Sequence, residues 1–600
     1  MLLQNILLAD NTDGLHCHSQ GTVRYENDRC VIFEKGAEWS TDAYLNAFSL
    51  GKWCTYCDLE KITLQIALKG TFIVRVFSVD VDRRKFCRRQ IAGGRVSAAG
   101  GETVQYDIPM QKKGVVYFSL KAVTDGAVCS GAFFEGETRS EREITVALNI
   151  CTYKREKYLM RNLELLRSCF LENRDSELFG HLQVFITDNG STLPIGTLQC
   201  DTVHICHNPN VGGAGGFARG LIEIGRVKQQ KSITHVIFMD DDVEILPEGL
   251  TRTYTMLRCL REQYFSAFIA GAMLRLDRKY MQHENGAVWN GGKCRFAGRG
   301  IDLRMFSNVV RNEAEADRDY AAWWYCCIPV ENVREDNLPI PVFIHEDDVE
   351  YSLRNAGGII TLNGIAVWHP VAVNRRISSN EYYNLRNMLI VNAKYCPAFG
   401  RRRLAKTMAV RLMMPLLRYR YRDMHLIYQA LADFCRGPEW LRQVDAPSYH
   451  QRIVERGYQL TDVSEKLRHC ACIKCSDPSE INSVKDIFRR AFRQKKVCRL
   501  LRQIVTLNGW LLPPVRETKA FSMGVHPVDL YRTGSVILYD EESMQGIEVR
   551  RSLRQIVVFF MLYVRSLWLV CTKYDDSRQK YQAEWTSLHG MEYWRHTYER

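Results

Sequence analysis

Between residues 144 and 400 short apolar strands alternate with helices, and every strand ends in a cluster of polar side chains. The strand Ile144 to Ile150 leads through Thr152-Tyr153-Lys154-Arg155-Glu156 into a helix ending at Leu166. Leu182 to Thr187 ends in Asp188-Asn189-Gly190-Ser191, and Val203 to Cys206 runs into Asn208-Pro209-Asn210 and a Gly-rich helix reaching Val227. His235 to Met239 stops at Asp240-Asp241-Asp242. Strands joined by helices must run parallel, with both faces covered, and such sheets hold ligands at the carboxyl ends of their strands. The expected fold class is therefore α/β, a doubly wound, mostly parallel sheet.

Three adjacent acids at a strand end repel one another and have no use in packing. Oxygen ligands this close suit a hard divalent cation, Mn²⁺ or Mg²⁺, carrying a phosphate ester. A solvated acidic turn is the competing reading. His369, in Ala366-Val367-Trp368-His369-Pro370, ends another apolar run and with Asp240 and Asp242 completes a three-ligand set. A second acidic cluster, His345-Glu346-Asp347-Asp348, opens a helix, where N-terminal capping accounts for one acid. A general base taking a proton from an acceptor hydroxyl accounts for another. Trp323-Trp324-Tyr325 between the clusters reads either as core or as a flat platform for a sugar ring.

Gly213-Ala214-Gly215-Gly216-Phe217-Ala218 satisfies a dinucleotide-binding fingerprint, which raises a dehydrogenase as an alternative. It lies in the third strand–helix unit rather than the first, and the next strand ends in three acids where a nicotinamide site wants one. The glycines are better explained by close helix–strand approach.

Around this centre, residues 1–143 read as an N-terminal β-sandwich. Ile62 to Leu68 and Thr71 to Val79 alternate about Gly70 as a hairpin would. Trp39, Tyr44, Phe48 and Trp53 fit its core better than a sugar platform. Residues 144–400 read as the α/β domain that would be catalytic, and residues 401–600 read as a helical C-terminal domain. Basic residues from Arg401 to Arg422 interleave with Leu404, Met408 and Leu412, as in a helix docked on an anionic membrane surface. The net charge of +13 favours anionic partners. Its concentration in a helical tail, away from any aromatic-lined groove, sets nucleic acid aside. Met1 to Ala9 shows no basic leader or cleavage site, and no uncharged apolar window reaches about 18 residues. The 21 cysteines are then expected as reduced thiols in a cytoplasmic protein. Cys54-Thr55-Tyr56-Cys57 is half a metal site without a matching pair, and His469, Cys470, Cys472 and Cys475 form a denser cluster with zinc-like spacing.

The ordered set Thr152–Glu156, Asp188–Ser191, Asn208–Phe217, Asp240–Asp242, Trp323–Trp324, Asp347–Arg354 and Trp368-His369 resembles glycosyltransferase family 2. Within it, the set is most similar to galactofuranosyltransferases that polymerise galactan, and Trp39 to Phe48 resembles the start of their N-terminal β-sandwich. The resemblance implies a GT-A fold and a nucleotide-sugar donor, UDP-galactofuranose first. Arg155, Asp188, Asn189, Asn210 and Asp240 would hold the nucleotide sugar, and Asp240, Asp242 and His369 the metal. Asp348 would be the catalytic base with Asp347 beside it, and Trp323 and Trp324 would line the acceptor site. It further implies a glycan or prenyl-linked glycolipid acceptor, a homo-oligomer, and association with the inner face of the cell membrane. Two departures stand out: Glu346 adds a third candidate base, and Cys326-Cys327 follows the tryptophans. A dTDP-rhamnose transferase and an inactive carbohydrate-binding protein are the alternatives.

Overall fold

The computed structural model describes residues 1–9, 13–26, 30–82, 85–292, 294–371, 377–468, 470–472, 502–503, 505–541 and 543–598. The N-terminal region is built on β1 (Leu59–Asp82), β2 (Lys85–Asp107), β3 (Val115–Ala122) and β4 (Ala127–Thr138). Gly70 does not end a strand, as the alternation suggested. With φ at +103°, it bends β1 at the point where its partner changes from β4, alongside Leu59 to Lys69, to β3, alongside Phe72 to Val79. The result is one nine-stranded hydrogen-bonded sheet whose two halves share the long strand β1. Its inner face is closed by ring contacts such as Phe33 with Phe72, 5.2 Å between centroids, and Phe48 with Phe134 at 4.3 Å. Trp39, Phe48 and Trp53 are fully buried there, and Tyr44 is fully buried in a separate cluster with Tyr117 and Leu274.

The second region contains β5 (Val146–Thr152), α1 (Glu156–Leu166), β6 (Leu182–Asp188), β7 (Val203–His207), α2 (Gly212–Val227), β8 (His235–Asp240), α3 (Pro247–Cys259), β9 (Phe268–Arg275), β10 (Cys326–Pro329), α4 (Asp347–Asn355), β11 (Ile359–His369) and α5 (Ser378–Tyr395). Spatially the strands run β7-β6-β5-β8-β10-β9, with β11 alongside β9. The first four are parallel. β10 is antiparallel to both of its neighbours, so the sheet is mixed where a mostly parallel one was expected. The order of the first four strands reverses between β5 and β8, which makes that gap the topological switch point. Register carries the polar ends to it: Thr152 lies beside Asp188, and Cys151 beside Asp240.

Alternation along β8 divides the two faces. Ile237 and Met239 share a core with Leu159 and Leu163 of α1, and Val236 and Phe238 share another with Phe217 and Leu221 of α2. A Cβ on Gly216 would collide with Cys151 Sγ, and one on Gly220 with Asn149 Oδ1. The fingerprint glycines therefore seat α2 directly on β5. A buried ion pair fastens the N-terminal sheet to this region. Arg252 on α3 donates to Glu248 (3.0 Å) and to the carbonyls of Asn363 (3.1 Å) and Leu45 (2.6 Å). Glu248 in turn accepts from the backbone N–H and side-chain amide of Asn5.

The C-terminal region contains α6 (Arg401–Leu417), α7 (Tyr421–Phe434) and α8 (Arg554–Thr572). It is not wholly helical, because a five-stranded sheet that includes Lys519–Ser522, Ser535–Tyr539 and Gln545–Arg550 is inserted between α7 and α8. Short strands flanked by turn residues gave too weak a period to separate from the helical background. Helix α5 shares its apolar core with these C-terminal helices. Cys54 and Cys57 are buried thiols. His469 and Cys475 of the zinc-like cluster lie outside the described residues.

Candidate active site

The end of β8 delivers Asp240 and Asp242 to the switch point, and the end of β11 brings His369 to them. One ligand atom from each lies within 4.8 Å of the other two, the one such group of His, Cys, Asp and Glu found among the described residues. His369 Nε2 stands 3.1 Å from Asp242 Oδ1 and 3.6 Å from Asp240 Oδ2. Its Nδ1 donates to the Pro370 carbonyl (2.7 Å), which turns Nε2 toward the carboxylates. Asp242 Oδ1 is buried and accepts no hydrogen bond of good geometry, so an oxygen with ligating capacity is left facing the imidazole. Two carboxylates and one imidazole fit Mn²⁺ or Mg²⁺.

Electrostatics separate the two acids. Burial, with the charges of Asp242 and Asp241 adding to it, pushes Asp240 up to about 6. Burial also works against Asp242, but His369 and Arg155 outweigh it and hold that carboxyl below the ordinary range.

Asp241 has a different task. It accepts from Thr152 Oγ1 (2.6 Å) and Arg155 Nη1 (3.1 Å), and its carbonyl accepts from Asn162 Nδ2 (3.2 Å). It locks the end of β8 to the start of α1. Arg155 reaches on to Asp242 Oδ2 (2.7 Å), so the expected nucleotide-binding cation stands at the cluster. Asp188 is fully buried. Its oxygens accept from the backbone N–H of Gly190, Thr192 and Leu193 at 2.7–2.9 Å and so shape the loop after β6. Asn189 donates to the Gly212 carbonyl (2.9 Å) and accepts from Asn208 (2.8 Å), tying that loop to α2. Asn210 lines a cavity of about 700 Å³ that Tyr153, His450 and Gln451 also bound.

The second acidic cluster begins in strained backbone. Phe343, His345 and Glu346 have φ of +73°, +66° and +61°, left-handed conformations that cost non-glycine residues about 1 kcal/mol or more each. Neighbours hold them there. Asn387 on α5 donates to the carbonyls of Val342, Ile344 and His345 at 3.2, 2.7 and 3.0 Å. Arg386 also donates to Val342 (2.6 Å), and the Phe343 carbonyl accepts from Ala214 at the start of α2 (3.0 Å). The loop thus presents the first turn of α4. Burial raises Asp348 to about 7, the charge of Asp240 adding to this against the Val349 N–H. Burial and the neighbouring Asp348 raise Asp347 well above its usual range. Burial does the same to Glu346.

Trp323 is 4% exposed and stacks on Phe238 (4.3 Å, 15°) with Phe217 and Tyr351 edge-on, so it packs the sheet instead of lining an acceptor groove. Trp324 is half-buried and donates to the Gly271 carbonyl (3.0 Å). Sequence reasoning missed Glu284, buried at the end of the strand Met281–Glu284 and pushed to about 8 by burial and the charge of Asp348. Its only signal was a carboxylate closing a short strand before Asn285-Gly286.

The mixed sheet thus carries a carboxylate–imidazole cluster at its switch point, and the charge of Asp240 acts on Asp347 and Asp348 at the start of α4. Residues 16–135 match the family described as Galactofuranosyltransferase 2 N-terminal. The chain is similar to galactofuranosyltransferase GlfT2 of Mycolicibacterium smegmatis, 27% identical over 437 residues, covering 67% of this chain and 65% of the relative. It is also similar to GlfT2 of Mycobacterium tuberculosis, 25% identical over 431 residues, covering 67% of this chain and 66% of the relative. The chain thus matches about two thirds of the length of these relatives. Among solved structures, a family 22 carbohydrate binding module of Clostridium thermocellum Xyn10B aligns with 22% of this chain and 92% of its own. At 8% identity and a TM-score of 0.17 that alignment carries no argument.

Proposed function

We propose that this chain is a GT-A-type glycosyltransferase that moves galactofuranose from UDP-galactofuranose to a hydroxyl of a growing glycan or glycolipid, with inversion. The observation that carries the reading is the grouping of Asp240, Asp242 and His369, with Asp348 close enough to feel the charge of Asp240. Similarity to galactofuranosyltransferases supports the sugar.

A divalent cation held by Asp240, Asp242 and His369 would supply charge neutralisation for the departing diphosphate. Arg155 places a further positive charge beside those carboxylates. Asp348 takes the proton of the acceptor hydroxyl. The hydroxyl oxygen then bonds to the anomeric carbon from the face opposite the nucleotide, and the carbon–oxygen bond to diphosphate breaks with its electron pair leaving on UDP. A base near 7 is part ionised at neutral pH yet strong enough to accept a proton in the transition state. A dTDP-rhamnose donor is the second reading. A binding protein with a dead centre is disfavoured by the intact acid–histidine set.

The test is UDP release with UDP-galactofuranose, Mn²⁺ and a short galactofuranoside acceptor, with mass spectrometry of the product. Extension by one or more hexoses is expected, and it should be lost in Asp242→Ala. Asp348→Asn should lower turnover on the order of 10²–10⁴ with donor binding retained. Extension with dTDP-rhamnose alone would overturn the donor, and wild-type turnover in Asp348→Asn would overturn the base.

A further inference from the structure

The first turn of α2 reads Gly212-Gly213-Ala214-Gly215-Gly216, with one Cβ among its residues. Glycine is a poor helix former, and such a turn has almost no side chains with which to fix its own position. Its backbone groups must be held from outside. Two of the holding contacts belong to the centre already described. Asn189 donates to the Gly212 carbonyl (2.9 Å), and the Ala214 N–H donates to the Phe343 carbonyl of the strained loop (3.0 Å). The turn therefore stands between the loop after β6 and the loop that presents Asp348.

A third support comes from a distant part of the chain, α9 (Met591–Tyr598). Tyr598 Oη donates to the Gly215 carbonyl (2.6 Å), 383 residues away in sequence, using the second lone pair that a helical carbonyl keeps free. Trp594 is 2% exposed, stacks on Tyr598 (5.5 Å between centroids, 16°) and shares a core with Val211, Phe217 and Trp323. A Cβ on Gly215 would sit 3.1 Å from Trp594 Cζ3, so glycine there lets the indole reach the backbone. The indole N–H donates to the Pro339 carbonyl (3.0 Å), a few residues before Val342, where Arg386 and Asn387 take hold. The Met591 N–H donates to the Glu335 carbonyl (2.7 Å), and the Leu338 N–H to the His589 carbonyl (2.8 Å). Residues 335–339 are thus tied to α9 and to the turn before it.

We infer, given the sugar transfer proposed, that Trp594 and Tyr598 are positioning residues for it. Tyr598 sets the donor-side turn of α2, and Trp594 sets the segment that leads to Asp348. Each acts through a backbone carbonyl, so substitution separates the two sides. Tyr598→Phe keeps the ring on Trp594 and releases the Gly215 carbonyl. Trp594→Phe keeps an aromatic ring over Gly215 and releases the Pro339 carbonyl.

The test is hydrogen exchange of the full chain without substrate, followed by initial rates. In Tyr598→Phe the amides of 214–219 should exchange about 3–10-fold faster, the equilibrium value of one hydrogen bond, with the rest of the chain within about twofold. Donor KM should rise by the same factor with kcat within about twofold, because binding and not the chemical step loses its support. In Trp594→Phe the faster exchange should fall on 337–344. There kcat should drop about tenfold with donor KM within about twofold, because Asp348 is misplaced. Faster exchange throughout the chain in both variants, with kcat and KM disturbed alike, would make α9 a stabilising element only and overturn the inference. So would unchanged exchange at 214–219 in Tyr598→Phe. A wild type inactive on UDP-galactofuranose would overturn the donor and leave the exchange pattern to decide the positioning roles.

Discussion

Replacing Asp348 with Asn should make the protein more stable as it makes it inactive, and the size of the gain follows from the carboxyl's surroundings. Burial and the Asp240 charge lift Asp348 from 3.8 to about 7, so above pH 7 the folded state carries an ionised group it disfavours. Each pH unit between the two values costs about 1.4 kcal/mol, a ceiling of about 4 kcal/mol. Asp348 retains part of its exposure, and solvent screening reduces the gain to roughly 1–2 kcal/mol. The sign is fixed by linkage: a carboxyl raised in the folded state holds a proton that the unfolded chain has released. Its contribution to stability therefore falls as pH climbs from about 4 to about 7, and stays low above that. Asn keeps the acceptor for the Val349 N–H (2.7 Å) and has no charge to bury. Urea denaturation with a chelator present should show Asp348→Asn more stable at pH 8 and the gain reduced by more than half at pH 5. A variant less stable than wild type at pH 8, or a gain independent of pH, would refute the account of a buried, destabilised base.

The same titration should appear in catalysis: kcat/KM rises with pH and levels off near 7, and a pH-rate profile of Asp348→Asn lacks that inflection. Asn387→Ala removes the donor to three carbonyls of the strained loop, so denaturation should show a loss of roughly 2–3 kcal/mol. Its kcat should fall about tenfold with donor affinity by calorimetry unchanged, because the base is misplaced rather than removed. Trp323→Phe should lower stability by roughly 1–3 kcal/mol and leave the acceptor KM within twofold, since the indole packs on Phe238.

What was legible in the sequence was what repeats with a period or breaks one. The strand–helix alternation placed the parallel half of the sheet, because each connection is long enough for a crossover helix and its strands are apolar throughout. Asp240, Asp242 and His369 were legible because each interrupts such a run where a strand must end. The inserted β10 was not, because a four-residue strand has no periodicity, and its antiparallel direction depends on the long excursion from Arg275 to Cys326. Trp323 misled because adjacent aromatics show no direction: the turn before β10 sends one indole into the core and leaves the next half-buried. Asp188 and Asn189 were visible as polar strand-end residues, but their hydrogen bonds into loops depend on backbone that only the fold supplies.

The strained loop also binds the C-terminal region to the chemistry. Arg386 and Asn387, which hold the loop, lie on α5, where Tyr382, Leu385, Leu389 and Ile390 are buried in the core that α7 and α8 complete. Tyr382 donates to Asp433 on α7 (2.9 Å), extending the support across that core. Removing residues 401–600 would return those four side chains to water at roughly 1.5–3 kcal/mol each. Their sum, roughly 6–12 kcal/mol, is comparable to the whole stability of a typical domain. A chain of residues 1–400 should therefore fail to hold Asp348 in place, either aggregating or binding donor without turnover. Sugar transfer by a soluble 1–400 protein at the full chain's rate would show that the loop keeps its left-handed backbone without α5 being packed.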